Sequence, residues 1–273
     1  MSMKFDLASD LHINHYAPFQ WSNVTPSEAD TLIIAGDMTE DLEETADFLF
    51  EAKKHYKNVC YVDGNHDHYQ IRKYLNDRKS VSENEQFLSD TAAKDGWTYL
   101  QSNDLIMDDT VIIGENGWYS WNTGDTRYTE VDYRNAWKQY MSDSRLIKFD
   151  TMEPNGLAER DAKILSDKVL KYDKDDSIKN IICVTHTIPI LSCLTIKQEK
   201  SSSDVAWNLL SGSFLNSYMQ DVNELSPKVK IWCFGHTHFN HNVTKNHTRF
   251  LCYPRGYPGE PNSSNYRFNL FEV

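Results

Sequence analysis

Short runs of the chain are apolar almost without a break: Lys4–Ala8, Thr31–Ala35, Asn58–Val62, Thr110–Gly114, and residues 179–184, 230–234, 249–253 and 267–273. Runs of this length between turn-forming residues read as β-strands. Stretches such as TLIIAG and NIICVT are continuous rather than alternating, which is the pattern of strands covered on both faces. Helical spacing predicts helices over 41–56, 83–94, 153–172 and 204–219. The Thr39/Glu43 spacing and an acidic first turn mark the start of the first helix, and Lys53, Lys54 and His55 fall in its expected last turn. Strands alternate with helices early and cluster late, so an α/β layered sandwich is predicted. Residues 119–150 are polar, aromatic-rich and weakly periodic, and read as a surface excursion, a candidate lid.

Composition adds limits. With 273 residues, 40% apolar and 25% charged, the chain has the make-up of an ordinary globular protein with a sizeable core. No repeat, low-complexity tract or Gly/Ser linker forces a boundary, so residues 1–273 are expected to form a single domain. No apolar run approaches the ~18 residues that would cross a bilayer, and no long apolar segment opens the sequence, so a cytoplasmic protein without membrane partners is expected. Cys60, Cys183, Cys193, Cys233 and Cys252 form no CxxC pair, and three lie inside strand-like runs. They read as reduced core thiols, and the Asn242 to Thr244 sequon then carries no glycosylation meaning.

Charge narrows the partners. There are 28 Lys plus Arg against 40 Asp plus Glu, a formal charge of −12. Broad binding to nucleic acid or anionic lipid needs clustered cations, so extended nucleic acid is disfavoured. A local site for one anion is not excluded.

The chemistry sits where strands end. KFDLAS runs into Asp10-Leu11-His12, TLIIA into Gly36-Asp37, VCYVD into Gly64-Asn65-His66-Asp67, IICVT into His186, and IWCF into Gly235-His236-Thr237-His238. Ligands of open α/β sheets bind outside the carboxyl ends of strands, so these five termini can converge. The donors are carboxylate, imidazole and amide oxygen without sulfur, a set that suits Mn²⁺, with Fe, Zn²⁺ or Ni²⁺ as alternatives. They exceed what one ion needs. Two ions about 3.5–4 Å apart hold a bridging hydroxide and clamp both oxygens of a phosphoryl displacement.

In this order DLH, GD, GNHD, a lone His after an apolar strand, and GHTH resemble the calcineurin-like metallophosphoesterase superfamily. The tail CYPRGYPGE and the stretch GENGWYSW further resemble a bacterial-type subgroup. The resemblance implies a four-layer αββα sandwich of two mixed β-sheets flanked by helices, and a metal-dependent phosphoester hydrolase acting on a phosphomonoester or phosphodiester of a small molecule or nucleotide. It implies that Asp10, His12 and His238 hold a first divalent ion, that Asn65, His186 and His236 hold a second, and that Asp37 bridges them and is needed for catalysis. His66 becomes the general acid and, with Asn65, a substrate contact.

The chain also departs from relatives. In the phosphoprotein phosphatase branch the GD motif continues into an Asp and then a phosphate-binding Arg, where this chain has Glu40 and Asp41. Glu40 is expected to orient His66, and Asp67 to act as a turn residue or as a partner behind the ligands. Thr187 stands where many relatives carry a second His. Arg255 is the cation next expected at the substrate. Trp118, Tyr119 and Trp121 fit an aromatic wall for a planar group or, the commoner outcome, core packing. His15, His55, His68, His241 and His247 are expected at the surface, with His68, two after His66, the one that could instead reach the pocket, and residues 168–179 as a solvated helix end. A metal-dependent nuclease and a scaffold that kept the fold without the chemistry are the competing readings. Against them stand the −12 charge, and the presence of every ligand together with His66.

Overall fold

In the computed structural model, described for residues 2–16 and 27–273, eleven strands form two sheets. The first sheet contains β1 (Lys4–Ala8), β2 (Thr31–Ala35), β3 (Asn58–Val62), β4 (Thr98–Tyr99) and β11 (Asn269–Glu272), in the order β11-β1-β2-β3-β4. The second contains β5 (Leu105–Met107), β6 (Thr110–Gly114), β7 (Asn180–Val184), β8 (Val229–Cys233), β9 (His241–Lys245) and β10 (Thr248–Cys252), in the order β5-β6-β7-β8-β10-β9. Both are mixed: β1-β2-β3-β4 and β6-β7-β8-β10 run parallel, and β11, β5 and β9 pair antiparallel at the edges. The helices are α1 (Leu42–Ala52), α2 (Val81–Asp95), α3 (Glu130–Tyr140), α4 (Asp143–Leu146), α5 (Pro154–Asp173) and α6 (Ser202–Leu210).

Alternation of side chains along each strand sorts the core into layers. Phe5, Leu7, Ile33, Cys60 and Val62 meet Ile112, Ile182, Val184, Ile231 and Cys233 between the sheets. Leu32, Ile34 and Tyr61 face outward onto Leu42, Leu49 and Leu88 of α1 and α2. On the other side Val111, Ile181, Cys183 and Trp232 face Ala162, Leu165 and Val169 of α5. Helix, sheet, sheet, helix: this is the αββα sandwich, and the unbroken apolar runs are the strands covered on both faces.

Local chemistry sets the ends. Asp41 caps α1, its side chain accepting from the Glu43 and Glu44 amides, while Thr39 braces the turn by bonding Asp41. The cap therefore falls two residues after Thr39, and α1 ends at Ala52, before the basic trio. Ser80 with Glu83 forms a reciprocal capping box on α2, and Gly96 ends it in the left-handed conformation. The expected helix over 204–219 is shorter: α6 stops at Leu210 and tight 3₁₀ turns follow at Ser211–Ser213 and Ser217–Met219.

Residues 119–150 are packed in part, with Val131 and Tyr140 exposed. Trp118, Tyr119 and Trp121 are buried with Tyr133 and Trp137 of α3 in a fourth, aromatic cluster, so they are core. His68 is also buried, against Asp63 at 2.6 Å, not at the surface. Lys168 bonds the Gly114 and Leu100 carbonyls and pairs with Glu115 at 2.8 Å, so the start of 168–179 is tied inward rather than solvated. All five cysteines are buried and free; burial pushes the Cys60 thiol up to about 12. Among the described residues, no helix is long and apolar enough to cross a membrane.

Candidate metal centre

The parallel strands β1, β2, β3, β7 and β8 deliver their carboxyl ends to one place, and the loops leaving them are cross-linked. The Asp10 amide donates to the Gly36 carbonyl, His12 to Asp37, and Gly235 to His186. Asp10 Oδ1 accepts from the His236 amide, and Asp37 Oδ1 from the His66 amide. Asp10, His12, Asp37, His236 and His238 all have φ between 43° and 69°, a left-handed conformation rare for residues with a side chain. Each costs on the order of 1–3 kcal/mol and clusters of them mark functional sites. Gly36 (φ +82°) is required by contact: a Cβ there would sit 2.3 Å from His186 Nδ1. At Gly64 it would meet Asp37 Oδ1 at 2.1 Å.

Two groups of donors result, Asp10–His12–His238 and Asp37–His186–His236, the ligand atoms of each within 4.8 Å of one another. Their hydrogen bonds decide which ring nitrogens carry protons. His186 Nδ1 lies 2.9 Å from the Ala35 carbonyl and His236 Nε2 lies 2.8 Å from the Ser213 carbonyl, so both must donate there. The neutral rings then turn bare lone pairs toward each other, His186 Nε2 to His236 Nδ1 at 3.2 Å. Asn65 Oδ1 at 3.0 Å and Asp37 Oδ2 at 3.2 Å face the same His186 nitrogen. Asn65 cannot turn its amide nitrogen inward, because its Nδ2 donates to the buried Asp143 carboxylate at 2.9 Å. Once His186 Nε2 gives up any proton it carries, these four facing acceptors form a cation site.

The other group repeats the logic. His238 Nδ1 bonds Glu260 Oε2 at 2.7 Å, leaving Nε2 bare toward His12 Nε2 at 3.1 Å and Asp10 Oδ1 at 3.5 Å. Of the six donors in the two groups, only His12 has a second nitrogen, Nδ1, buried without a partner among the described residues. Asp37 reaches both groups, 3.2 Å from His186 Nε2 and 4.0 Å from His12 Nε2. The residues fit two ions.

Electrostatics agree. Burial and the neighbouring His186 lower His236 to about 3, so it stays neutral. Burial opposes charge on His186, yet Asp37 and Asp10 lift it to about 10: the carboxylates demand positive charge at that nitrogen. Burial opposes charge on Asp37 too, but His186 and His66 hold it well below the usual carboxylate range. Burial and Asp37 raise Asp67 to about 6; it accepts from the Asp37 and Gly64 amides and from Thr45, fixing the two loops behind the ligands.

Residues 3–240 match the family model of the calcineurin-like phosphoesterases. The chain belongs to that family. Its members are metal-dependent phosphoester hydrolases with dinuclear divalent centres, and this chain is a phosphoester hydrolase. It is 22% identical over 252 residues to an uncharacterized protein of Acanthamoeba polyphaga mimivirus, covering 88% of this chain and 83% of that one. The fold is similar to that of a phosphopantetheinyl hydrolase from Mycobacterium tuberculosis, with TM-score 0.77, 14% identity and coverage of 98% and 96%. It is also similar to a dimetal phosphatase from Danio rerio, with TM-score 0.51, 14% identity and coverage of 98% and 91%.

Beside the two groups stands His66, its Nδ1 3.2 Å from Glu40 Oε1 and its Nε2 3.0 Å from the Tyr257 hydroxyl. Burial opposes its proton, but Asp37 and the Glu40 hydrogen bond raise its pKa above the ordinary value. Asp10, His12, Asp37, Asn65, His66, His186, His236 and His238 are thus brought together, with Glu40 and Asp67 behind them. Arg255 is not among the residues lining the cleft over these groups: its guanidinium lies over the Tyr16 ring, 3.4 Å from the centroid, and its amide bonds the Ser9 carbonyl. Thr187 donates to the Gly117 carbonyl.

Sequence reasoning missed Asp143, Tyr257 and Glu260. Asp143 also accepts from the Tyr69 and Tyr119 hydroxyls. Tyr257 stacks on His12, ring centres 4.4 Å apart and planes at 24°, and its amide donates to Glu260 Oε2. Both lie in the CYPRGYPGE tail, where attention to charge selected Arg255 instead.

Proposed function

We propose that this enzyme hydrolyses the phosphoester of a small molecule, with Asp10, His12 and His238 holding one divalent ion, Asn65, His186 and His236 a second, and Asp37 shared. The observation that carries this is the pair of lone-pair clusters converging beside His66. Two divalent ions there supply Lewis acidity and an activated water. The donor set supports Mn²⁺ as the native metal. His66, held by Glu40 and raised in pKa, keeps a proton to give to the leaving alkoxide. Asn65, locked by Asp143, presents only its oxygen. Residues 1–273 act as one domain, and Tyr140, Met141 and Ser142 of the 119–150 segment wall the cleft. Five free, buried thiols support a reducing compartment, the cytoplasm.

The test is turnover of p-nitrophenyl phosphate and bis(p-nitrophenyl) phosphate with added Mn²⁺, with metal content by mass spectrometry. About two ions per chain and loss of turnover in Asp37→Ala and His66→Ala are expected. Wild type inert with every metal tried, or one ion per chain, sinks the reading. The solved structure named as a phosphopantetheinyl hydrolase makes phosphopantetheine conjugates the first natural candidates to screen.

A further inference from the structure

A buried carboxylate outside the two ligand groups stands behind His186. Asp161 of α5 is fully buried, and its Oδ2 accepts from the Gly117 amide at 2.9 Å. That N–H belongs to the same peptide unit as the Asn116 carbonyl, which accepts from the His186 amide at 2.7 Å. The unit is trans, so its N–H and C=O point in opposite directions and turn together. Whatever fixes the Gly117 N–H therefore aims the carbonyl that holds His186. A carboxylate is the stronger kind of acceptor for this. Its other oxygen is held by Arg160 at 2.8 Å, and Arg160 is tied in turn to Glu85 of α2 at 2.7 Å.

The next peptide unit extends the hold toward His236. The Gly117 carbonyl accepts from Thr187 Oγ1 at 2.8 Å and from Asn216 Nδ2 at 2.6 Å, and the same Asn216 nitrogen bonds the Ala158 carbonyl of α5 at 3.0 Å. The Ile188 amide bonds the Phe214 carbonyl, and the Asn216 amide bonds the Ile188 carbonyl. Ser213, at the head of this segment, accepts from His236 Nε2 at 2.8 Å. Gly117 takes φ +87°, and a Cβ there would come within 3.1 Å of Thr187 Oγ1, so the turn closes tightly around that hydroxyl. The other ligand group is fastened elsewhere: Asp10, His12 and His238 bond Gly36, Gly256, Asp37 and Glu260.

Building on the two-ion reading above, we propose that Asp161 is a positioning residue for the second ion. Through the Asn116–Gly117 peptide it holds His186, through the Gly117 carbonyl it steadies the segment against His236, and it leaves the Asp10–His12–His238 group untouched.

Two readouts test it. In the metal-free protein, amide hydrogen exchange followed by NMR should become about tenfold faster at His186 in Asp161→Ala, with His12 unchanged. Leu165→Ala, one helical turn further along α5 and unable to hydrogen-bond, should not show that selectivity. In calorimetric titration with Mn²⁺, the binding step that is absent from His236→Ala should weaken about tenfold or more in Asp161→Ala, and the other step should stay as in wild type. Asp161→Asn keeps an acceptor for the Gly117 amide and should recover most of both losses. Thr187→Val keeps the side-chain shape and removes one donor to the Gly117 carbonyl; it should weaken the same step about threefold, and it carries the test if Asp161→Ala does not fold.

An equal rise in exchange at His186 and His12, equal weakening of both steps, the same selectivity in Leu165→Ala, or an asparagine as damaging as alanine overturns the inference. So does an unaltered step in Thr187→Val. If wild type binds fewer than two ions, the two-ion reading fails, while hydrogen exchange still decides whether Asp161 holds His186.

Discussion

Asp143→Asn is the substitution that most directly probes how the centre is held. The Asp143 carboxylate is fully buried and receives three donors: Asn65 Nδ2 at 2.9 Å and the Tyr69 hydroxyl on one oxygen, the Tyr119 hydroxyl at 2.7 Å on the other. Tyr119 has no freedom to reverse, because its oxygen already accepts from Trp137 Nε1 at 2.5 Å. An asparagine amide has one acceptor oxygen, so whichever way it turns at least one buried donor faces an NH₂ group. A stranded buried donor costs about 1–3 kcal/mol, and the remaining bonds lose their charge assistance, about 1 kcal/mol each. Relief from burying a charge offsets part of this, so a net loss of about 2–4 kcal/mol is expected by urea unfolding of the metal-free protein. Asn65 then loses the bond that fixes its oxygen toward His186. Changes behind metal ligands typically cost about 10–100-fold in affinity, so calorimetric titration with Mn²⁺ should show one ion bound nearly as in wild type and the other weakened by that factor. Stability within about 0.5 kcal/mol of wild type, together with two unaltered binding steps, would refute the claim that Asp143 orients Asn65.

Further perturbations separate the other elements of the site. Glu40→Gln removes a group that raises the His66 pKa: the acid form persists above the ordinary value and is lost as pH rises through the raised one, so in the variant the alkaline limb of the kcat–pH profile should move to lower pH. Stability contributed by protonated His66, present below its unfolded pKa, should likewise fade at lower pH. Gly36→Ala should cost about 3 kcal/mol through its positive φ and the 2.3 Å approach to His186, read as a melting point about 6–12 °C lower; an unchanged melting point contradicts the contact. Tyr257→Phe should leave metal content intact and reduce kcat several-fold, about 1 kcal/mol for one hydrogen bond; an unchanged kcat shows that its bond to His66 is idle. Chelation should lower stability by about 2.7 kcal/mol per ion at a hundredfold excess over Kd. Because metal-free His186 keeps a proton up to about pH 10, protons compete with the ion and apparent affinity should rise with pH.

The strands and the candidate ligands were legible in sequence for one physical reason. Residues buried on both faces must be apolar without interruption, so β2 and β7 announce themselves. The chain must turn directly after each of them, so Asp37 and His186 stand out at the strand exits. Elements that do not obey this rule were hidden. The edge strand β9 is largely exposed, reading His-Asn-Val-Thr-Lys, and carries no periodic signal. Helix α3 begins with a Thr129–Asp132 capping box, a local signal overlooked because its apolar face meets an aromatic cluster rather than a sheet.

The groups behind the ligands illustrate the deeper limit. A metal ligand is constrained by the strand it ends, and that constraint survives as spacing. Asp143, Tyr257 and Glu260 are constrained only by the atom each must reach: an amide nitrogen 78 residues away, an imidazole 191 away, another 22 away. No local period encodes such a reach. Arg255, a charge conspicuous in sequence, packs on Tyr16, while the uncharged Tyr257 two residues on stands beside His66. Charge marks what a residue can offer; only the loops that close over the strand ends decide whether the offer is made at the site.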